Sequence, residues 1–294
     1  MEQPSELKTM DVLKKHGFRF KKKWGQNFLF DKNFLRRMVK GANIKPGDSV
    51  VEIGPGAGTL TKALIEEGAR VLAIEIDEAL IPVLGDVLQG MDAVVVCGDV
   101  LKMNIDKLAQ EYNLKIPYKI VANLPYYITT PILMNILENE YRFDLLVIMV
   151  QWEVAERLTA KPGTKEYGSI SLAVNYYTES KILYKVPRHL FTPAPDVDSA
   201  VVCFTLRSEP PVEVRCKNFM FKIVKAGFNQ RRKTLANSLL LVEPSMDKLK
   251  LIKILDEAGI DSQRRGETLS LHEYANLANI WQQHSGTDRL DTKG

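Results

Sequence analysis

Short runs of aliphatic and β-branched residues alternate with amphipathic stretches between residues 49 and 150. Five runs have the length and composition of strands: residues 49–53, 70–76, 93–97, 119–123 and 144–150. Strands that alternate with helices form mostly parallel sheets covered by helices on both faces, so the pattern predicts an α/β domain. Two more β-rich stretches, 181–186 and 198–206, follow without a clear helix between them. They are expected to pair antiparallel at one edge of the sheet.

The pattern changes after residue 207. Residues 208–211 read Ser-Glu-Pro-Pro, which is typical of a linker. The remainder has helical periodicity over three segments, 219–241, 246–258 and 271–283. We therefore predict two domains, residues 1–207 with the sheet and residues 208–294 all-helical. Between the last two strands, two prolines within residues 190–195 predict an extended loop rather than regular structure.

Charge is distributed unevenly along the chain. The net charge is only +4, yet residues 1–40 hold eleven Lys/Arg against four Asp/Glu, and residues 215–235 hold seven against none. The rest of the chain is acidic. For either basic segment alone, a solvated face is the ordinary interpretation. Two such segments in one chain favour a polyanionic partner.

Composition excludes several classes of protein. The chain is 45% hydrophobic and 26% charged, which is typical of a globular protein. It contains no uncharged apolar run of the roughly 20 residues that a bilayer span needs, and the N-terminus lacks the apolar core of a signal peptide. We expect a cytoplasmic protein. Its three cysteines are far apart, without a C-x-x-C pair or a His at ligand spacing, so we predict no metal site.

A glycine-rich turn follows the first predicted strand, where Gly54, Gly56 and Gly58 precede Thr59. Glycines at such a turn allow a tight bend and let the backbone approach a ligand. Glu75 ends the next predicted strand, 21 positions after Gly54, where a carboxylate can accept both hydroxyl protons of a ribose. Thr59 stands where a dinucleotide motif would have its third glycine. The turn therefore favours a nucleoside cofactor without a pyrophosphate over a nicotinamide cofactor.

A further acidic residue, Asp99, follows the third predicted strand. At a carboxyl end of the sheet it can accept a hydrogen bond from the exocyclic amine of an adenine in the cofactor. N-capping of the next turn explains an aspartate there equally well, and both interpretations stay open. A nicotinamide-dependent dehydrogenase remains an alternative enzyme class, and tight binding of a nicotinamide cofactor would favour it.

The most informative tetrapeptide is Asn123-Leu124-Pro125-Tyr126, at the end of the fourth predicted strand. It is similar to the N/D-P-P-Y/F motif of methyltransferases that act on planar amino groups. The lone pair of such an amine is delocalised into its ring, so acceptors on its two hydrogens must promote tetrahedral geometry. The Asn123 side-chain oxygen and the Leu124 carbonyl can supply these acceptors, Pro125 stiffens the turn, and Tyr126 can stack on the base. No general base is required.

A base within folded RNA must be extruded to reach such a pocket, where aromatic faces hold it. Phe191, next to the prolines of residues 190–195, is our candidate for the second aromatic face beside Tyr126. The alternative is a core aromatic beneath a loop. The catalytic set predicted from the sequence is thus Asn123, Leu124, Pro125, Tyr126 and Phe191.

Five segments, in order along nearly the whole chain, resemble the KsgA/RsmA family of ribosomal RNA adenine dimethyltransferases. They are Gly25–Leu29, Glu52–Gly58, Glu75–Asp77, Asn123–Tyr127 and Pro193–Ser199. The resemblance implies a Rossmann-like, seven-stranded S-adenosylmethionine methyltransferase sheet with a small C-terminal helical domain. It also implies S-adenosylmethionine as cofactor, S-adenosylhomocysteine as product, and cofactor contacts from the N-terminal segment. The resulting cofactor set is Gln26, Asn27, Leu29, Gly54, Gly56, Gly58, Glu75, Ile76, Asp99, Val100 and Asn123.

The implied substrate is two adjacent adenosines in the 3′-terminal hairpin loop of 16S rRNA, within an assembling small ribosomal subunit. The RNA-binding residues predicted with it are Lys21, Lys22, Lys23, Arg231, Arg232 and Lys233. Trp24 and Phe228 are either stacking or core aromatics. Rival hypotheses are an Erm-type enzyme acting on large-subunit rRNA and a non-catalytic assembly or transcription factor. We expect a monomer.

Overall fold

The computed structural model describes residues 4–18, 27–230 and 232–285. They form two compact units. The first comprises the residues up to 155 together with 180–206, and the second comprises 156–179 together with those after 206. The sequence-based division at residue 207 thus differs in one segment, since residues 156–179 pack with the C-terminal helices. The local pattern of residues did not show that residues 156–179 belong to the second unit, because this assignment depends on tertiary packing.

The first unit contains a seven-stranded sheet in the order β4-β3-β2-β5-β6-β9-β7. The strands are β1 (Phe28–Leu29), β2 (Ser49–Ile53), β3 (Arg70–Glu75), β4 (Ala93–Cys97), β5 (Tyr118–Asn123), β6 (Phe143–Gln151), β7 (Thr178–Val186), β8 (Phe191–Thr192) and β9 (Ser199–Leu206). Strands β2 to β6 pair in parallel, and β9 runs antiparallel to β6. The five predicted parallel strands and the predicted seven-stranded α/β sheet are confirmed.

Helices cover the sheet and form most of the second unit. They are α1 (Pro4–Lys15), α2 (Lys32–Gly41), α3 (Thr59–Glu66), α4 (Ile81–Val87), α5 (Ile105–Glu111), α6 (Thr129–Glu138), α7 (Trp152–Leu158), α8 (Ser169–Tyr177), α9 (Lys217–Asn229), α10 (Leu235–Leu239), α11 (Lys248–Glu257) and α12 (Leu271–Ser285). The segment 219–241, predicted to be helical, contains two helices, α9 and α10, because Gln230 leaves the helical conformation and Thr234 begins α10 from extended backbone. Within the described ranges, no helix has the length and apolar character needed to cross a membrane.

The predicted loop at residues 190–195 is partly a strand. Phe191 and Thr192 form β8, which pairs antiparallel with β1 through Leu29↔Phe191 and Phe28↔Thr192. Proline restricts the preceding residue to extended backbone, and an extended pair of residues adopts strand pairing when a partner is within reach. That partner lies about 160 residues upstream in the sequence, so the local sequence gave no sign of it.

The core of the first unit is buried on both faces of the sheet. Val50 and Val51, which follow each other in β2 and so face opposite sides of the sheet, are both 0% exposed, and so are Val71 and Leu72 in β3. Burial on both faces explains why these strands read as continuous aliphatic runs rather than alternating ones. Polar side chains at the carboxyl ends of β2, β3 and β5 therefore stand out against an apolar sheet.

The second unit has an aromatic core of its own. The Phe228 ring packs against Tyr167 and Tyr274, with ring centroids 5.6 Å and 6.2 Å apart. Phe228 thus has the core-packing role that the sequence left as one of two alternatives. Gly227 lies so close to Tyr274 that an added Cβ would meet the tyrosine oxygen. This contact requires glycine in the last turn of α9.

Candidate active site

An open cleft lies in the first unit at the carboxyl ends of β2, β3 and β5. Strand β2 lies between β3 and β5, so the sheet order changes direction at this point. Ligands of open α/β sheets bind at such a switch point. The predicted site residues on its wall are Asn27, Leu29, Gly54, Gly56, Glu75, Ile76, Asp99, Val100, Asn123, Leu124, Pro125 and Tyr126. The fold thus brings together segments that are almost 100 residues apart in the sequence.

The glycine turn after β2 forms one wall of the cleft. Gly54 and Gly56 have φ angles of 69° and 57°, a region that favours glycine. The Gly56 amide donates to a carboxylate oxygen of Glu75 at 3.0 Å. A Cβ at Gly56 would lie 2.6 Å from the Phe28 ring. Gly56 therefore allows β1 to pack against the turn and close this side of the cleft.

Gly58, predicted to bind the cofactor, is not on the cleft wall. It has a φ angle of 77° and is the N-cap of α3. A Cβ there would lie 3.1 Å from the Leu84 side chain, so this glycine allows α3 to pack against α4. The next residue, Thr59, donates its hydroxyl to the Leu29 carbonyl at 2.9 Å and so links α3 to β1. The third position of the motif has a packing role in this structure.

Glu75 ends β3 with its carboxylate at the cleft and is only 4% exposed. One oxygen accepts from Gly56 N, and the other accepts from Asp77 N at 2.8 Å. Burial raises the pKa of Glu75, while these backbone donors oppose the rise. Each carboxylate oxygen can accept a second hydrogen bond. Two backbone donors therefore orient the carboxylate, and it keeps acceptor capacity for the two hydroxyls of a ribose.

Asp99 lies on the cleft wall and also caps the turn that follows β4. Its Oδ1 accepts from Leu101 N at 3.1 Å. N-capping, one of the two interpretations that the sequence left open, is therefore present. The second carboxylate oxygen lies 3.8 Å from the Lys102 amine at the protein surface. One aspartate can therefore hold the turn and still offer an acceptor to a ligand.

The turn after β5 forms the opposite wall. The Asn123 side-chain amide donates through Nδ2 to the Asn27 carbonyl at 3.3 Å. This bond leaves Oδ1 as the acceptor of that side chain. The Pro125 carbonyl accepts from the Thr129 hydroxyl at 3.1 Å, which holds the turn against α6. An acceptor oxygen is thus presented from a turn that is fixed at both ends.

Two tyrosines follow that proline. Tyr126 is half-buried on the cleft wall, and its hydroxyl lies 2.6 Å from the Ser199 hydroxyl. Burial raises the pKa of Tyr126, so the phenol is neutral at physiological pH. Tyr127 is 55% exposed and also lines the cleft. The sequence singled out Tyr126 for stacking, and Tyr127 is a second and more exposed ring beside it.

Phe191 does not line the cleft in this structure. It is 3% exposed and packs in the core with Leu29 and Leu35. Its pairing with β1 turns the ring inward, because Leu29 is its partner across the two strands. The core position is the alternative that the sequence left open for Phe191. As a stacking residue Phe191 stays a prediction, one that requires the ring to leave this position.

Glu52, the penultimate residue of β2, is a cleft residue that the sequence did not single out. It is 1% exposed, and among the described residues its Oε2 has no hydrogen-bond partner. Burial raises the pKa of Glu52 to about 8. A buried carboxyl with one unpartnered oxygen on a cleft wall suits a cationic ligand group, and the amino-acid part of S-adenosylmethionine has an ammonium. The residues present thus fit this cofactor at both its ribose and its ammonium.

Glu52 should make stability depend on pH. A carboxyl whose pKa is 4.5 in the unfolded state and about 8 in the folded state contributes stability that is fully present below pH 4.5. That contribution is lost as the pH rises to 8. The loss is up to about 1.4 kcal/mol per pH unit. Without cofactor, Glu52→Gln should therefore lower the pH dependence of the unfolding free energy, measured by urea denaturation across this range. The exposed Glu67→Gln is the control, and equal slopes in Glu52→Gln and wild type would contradict this role.

Several predicted residues lie outside the described residues, namely Lys21, Lys22, Lys23, Trp24, Gln26 and Arg231. Arg232 and Lys233 are exposed between α9 and α10, in the second unit. Across residues 4–18, 27–230 and 232–285, no three His, Cys, Asp or Glu side chains are grouped so that they could hold a metal ion. The RNA-binding roles of Arg232, Lys233 and the residues outside the described ranges remain predictions.

Comparison with known proteins finds similarity over most of the chain. Residues 17–277 match the family model described as ribosomal RNA adenine dimethylase. The protein "Ribosomal RNA small subunit methyltransferase A" of Streptococcus pneumoniae serotype 2 (strain D39 / NCTC 7466) is 49% identical, covering 92% of this chain and 94% of the relative. A dimethyladenosine transferase from Plasmodium falciparum has a TM-score of 0.72 at 22% identity, covering 88% and 98% of the two chains. The 23S rRNA methyltransferase ErmE has a TM-score of 0.64 at 26% identity, covering 86% and 99%.

Proposed function

The chain belongs to the ribosomal RNA adenine dimethylase family, and from this premise we propose the reaction and the roles of its site residues. The protein dimethylates the N6 amino groups of two adjacent adenosines in the 3′-terminal hairpin loop of 16S rRNA, with S-adenosylmethionine as methyl donor. The observation that carries the proposal is the meeting of the glycine turn and the Asn123–Tyr126 turn on one cleft. One turn suits a nucleoside cofactor, and the other suits a planar amine.

The cofactor is held by residues of three strand ends. Glu75 accepts hydrogen bonds from the ribose hydroxyls, Asp99 accepts from the adenine amine, and Glu52 faces the ammonium. S-adenosylmethionine supplies an electrophilic methyl group on its sulfonium. The cleft also carries apolar side chains, and Ile76 is 40% exposed there, in position to cover a face of the adenine.

The target amine is activated by position rather than by a base. Asn123 Oδ1 and the Leu124 carbonyl accept its two N–H groups, which favours tetrahedral geometry at the nitrogen and exposes its lone pair. Tyr126 stacks on the extruded base and fixes its plane. The proton lost on methylation leaves through these acceptors or water. Fixing the amine on the line of the methyl group supplies the rate enhancement.

Small-subunit rRNA is favoured over large-subunit rRNA as substrate. The relative at 49% identity is named as a small-subunit methyltransferase, whereas the large-subunit enzyme ErmE shares only 26% identity. The proposed substrate is assembled in the cytoplasm, which supports the expected location. Labelled S-adenosylmethionine should be incubated with undermethylated small subunits, and with large subunits and free RNA in parallel. Labelled N6,N6-dimethyladenosine on small subunits alone supports the proposal. Label on large subunits supports the Erm-type rival, and binding without transfer supports an assembly factor.

The second unit is proposed to hold the rRNA through its basic residues. Arg232 and Lys233 are exposed and adjacent, at the end of a segment with seven Lys/Arg and no acidic residue. Arg232→Glu with Lys233→Glu should weaken binding to small subunits and lower the salt slope by roughly two units. The affinity for cofactor should not change, because the cleft lies in the first unit. Filter binding across a salt series measures this, and an unchanged slope would reduce the pair to a solvated face.

A further inference from the structure

A partly buried hydrogen bond links two motifs of the chain that are 73 residues apart. The Tyr126 hydroxyl and the Ser199 hydroxyl are separated by 2.6 Å. Ser199 is 0% exposed, whereas Tyr126 is half-buried on the cleft wall. A buried hydroxyl requires a hydrogen-bond partner, and Tyr126 provides it. The bond therefore joins the proposed stacking ring to the first residue of β9.

The backbone around Ser199 is fixed by several independent bonds. Ser199 pairs with Gln151 at the end of the β6–β9 ladder. The carbonyl of Asp198 accepts from Trp152 N at 3.0 Å. The Asp198 carboxylate accepts from Arg188 N and from the Lys185 amine, each at 3.0 Å. The Ser199 hydroxyl is thus a fixed point in the fold.

A tyrosine ring turns about two side-chain torsions, and its far end is free unless the hydroxyl is bonded. Here the near end is set by the turn at Pro125, and the far end is set by Ser199. With both ends held, the ring presents one face to the cleft at one angle. A base stacked on that face lies parallel to the ring, so the angle of the ring fixes the direction of the target amine.

We propose that Ser199 is a positioning residue for methyl transfer, acting through the Tyr126 hydroxyl to fix the plane of the target base. The inference rests on the proposed function of the cleft. It gives a role to the Asp198-Ser199 motif, which the reaction itself does not use. Ser199 touches neither cofactor nor base, so its effect belongs to the transfer step and not to binding.

The test is a double-mutant cycle with Ser199→Ala and Tyr126→Phe. Each variant removes one hydroxyl of the same bond, so each should lower kcat on undermethylated small subunits by roughly 10-fold. The double variant should be no slower than either single variant, because both changes remove one interaction. The KM for small subunits and the Kd for S-adenosylhomocysteine should stay within about twofold of wild type. This kcat-specific, non-additive pattern is one that general destabilisation does not produce.

Ser49→Ala is the matched control. Ser49 also begins a strand, is 6% exposed, and has its hydroxyl hydrogen-bonded to Lys115 N, but it lies at the opposite end of the sheet. It should lower thermal stability as Ser199→Ala does while leaving kcat unchanged. Full activity of Tyr126→Phe overturns the inference. So does an equal loss from Ser199→Ala in wild type and in the Y126F background. Absence of transfer by the wild-type protein would instead refute the proposed function, before any variant is compared.

Discussion

Replacing Asn123 with alanine should lower methyl transfer by about 100- to 1000-fold while rRNA binding persists. The magnitude is that of removing one preorganised polar group that acts on the reacting centre. In the structure, Nδ2 of Asn123 is bonded to the Asn27 carbonyl, so Oδ1 is aimed as an acceptor. Alanine removes that acceptor, and the amine keeps its planar, delocalised lone pair. Single-turnover transfer to undermethylated small subunits measures the rate, and filter binding measures retention of the substrate.

Two variants separate the chemical role of Asn123 from a structural one. Asn139→Ala removes a side-chain amide that also donates to a backbone carbonyl, at 2.8 Å, but at the exposed end of α6. It should leave the transfer rate unchanged. Asn123→Asp keeps acceptor oxygens while losing the bond to Asn27, so it should retain more activity than Asn123→Ala. Substantial turnover by Asn123→Ala would contradict the acceptor role.

Replacing Gly56 with alanine should weaken binding of S-adenosylhomocysteine by more than about 100-fold. The new Cβ would lie 2.6 Å from the Phe28 ring, so β1 must move away from the turn. Asn27 and Leu29, on either side of Phe28, line the cleft and would move with it. Gly56 also donates to Glu75, so the carboxylate proposed to hold the ribose loses its orientation. Displacing the groups of a site by even 1 Å can cost about 100-fold.

Gly90→Ala is the control for Gly56→Ala. Gly90 has a φ angle of 76°, so alanine meets a similar backbone strain, but no atom lies within 4 Å of the added Cβ. It should lower stability by about 1 kcal/mol and leave cofactor affinity unchanged. Isothermal titration with S-adenosylhomocysteine, together with thermal unfolding, compares the two variants. Equal affinities in Gly56→Ala and Gly90→Ala would show that contact with Phe28 does not shape the cleft.

Regular elements with a strong local pattern were predictable from the sequence. The five parallel strands were located to within a residue or two at their ends, because strands buried on both faces are continuous aliphatic runs. The glycine turn, Glu75 and Asn123–Tyr126 were predicted for the same cleft, since parallel strands present their carboxyl ends at one edge. Site residues at the ends of strands can be predicted from the sequence when the strands themselves can be predicted.

Features that depend on a long-range partner were not visible in the local sequence. Phe191 lies in a strand because β1 pairs with it, and the prolines alone predicted only extended backbone. Gly58 does not line the cleft, and a Cβ added there would lie 3.1 Å from Leu84, but nothing in the motif distinguishes it from Gly54 or Gly56; its contact with the cofactor stays a prediction. Glu52 belongs to the segment Glu52–Gly58, but the lack of a partner for its Oε2 is a property of the folded protein. A signal for Glu52 was present nonetheless, as a charged residue inside a buried strand.

Local patterns in the sequence were sufficient to predict the positions of the five parallel strands, a glycine turn suited to a nucleoside and an Asn123–Tyr126 turn suited to a planar amine. These follow from local periodicity and residue chemistry, which short segments contain in full. Three features became apparent only in the folded protein. They are the hydrogen bond between Ser199 and Tyr126, the close packing of Phe28 against Gly56, and the assignment of residues 156–179 to the second unit. Each of these depends on how distant segments pack, and packing energy depends on the geometry of contacts that no single segment encodes.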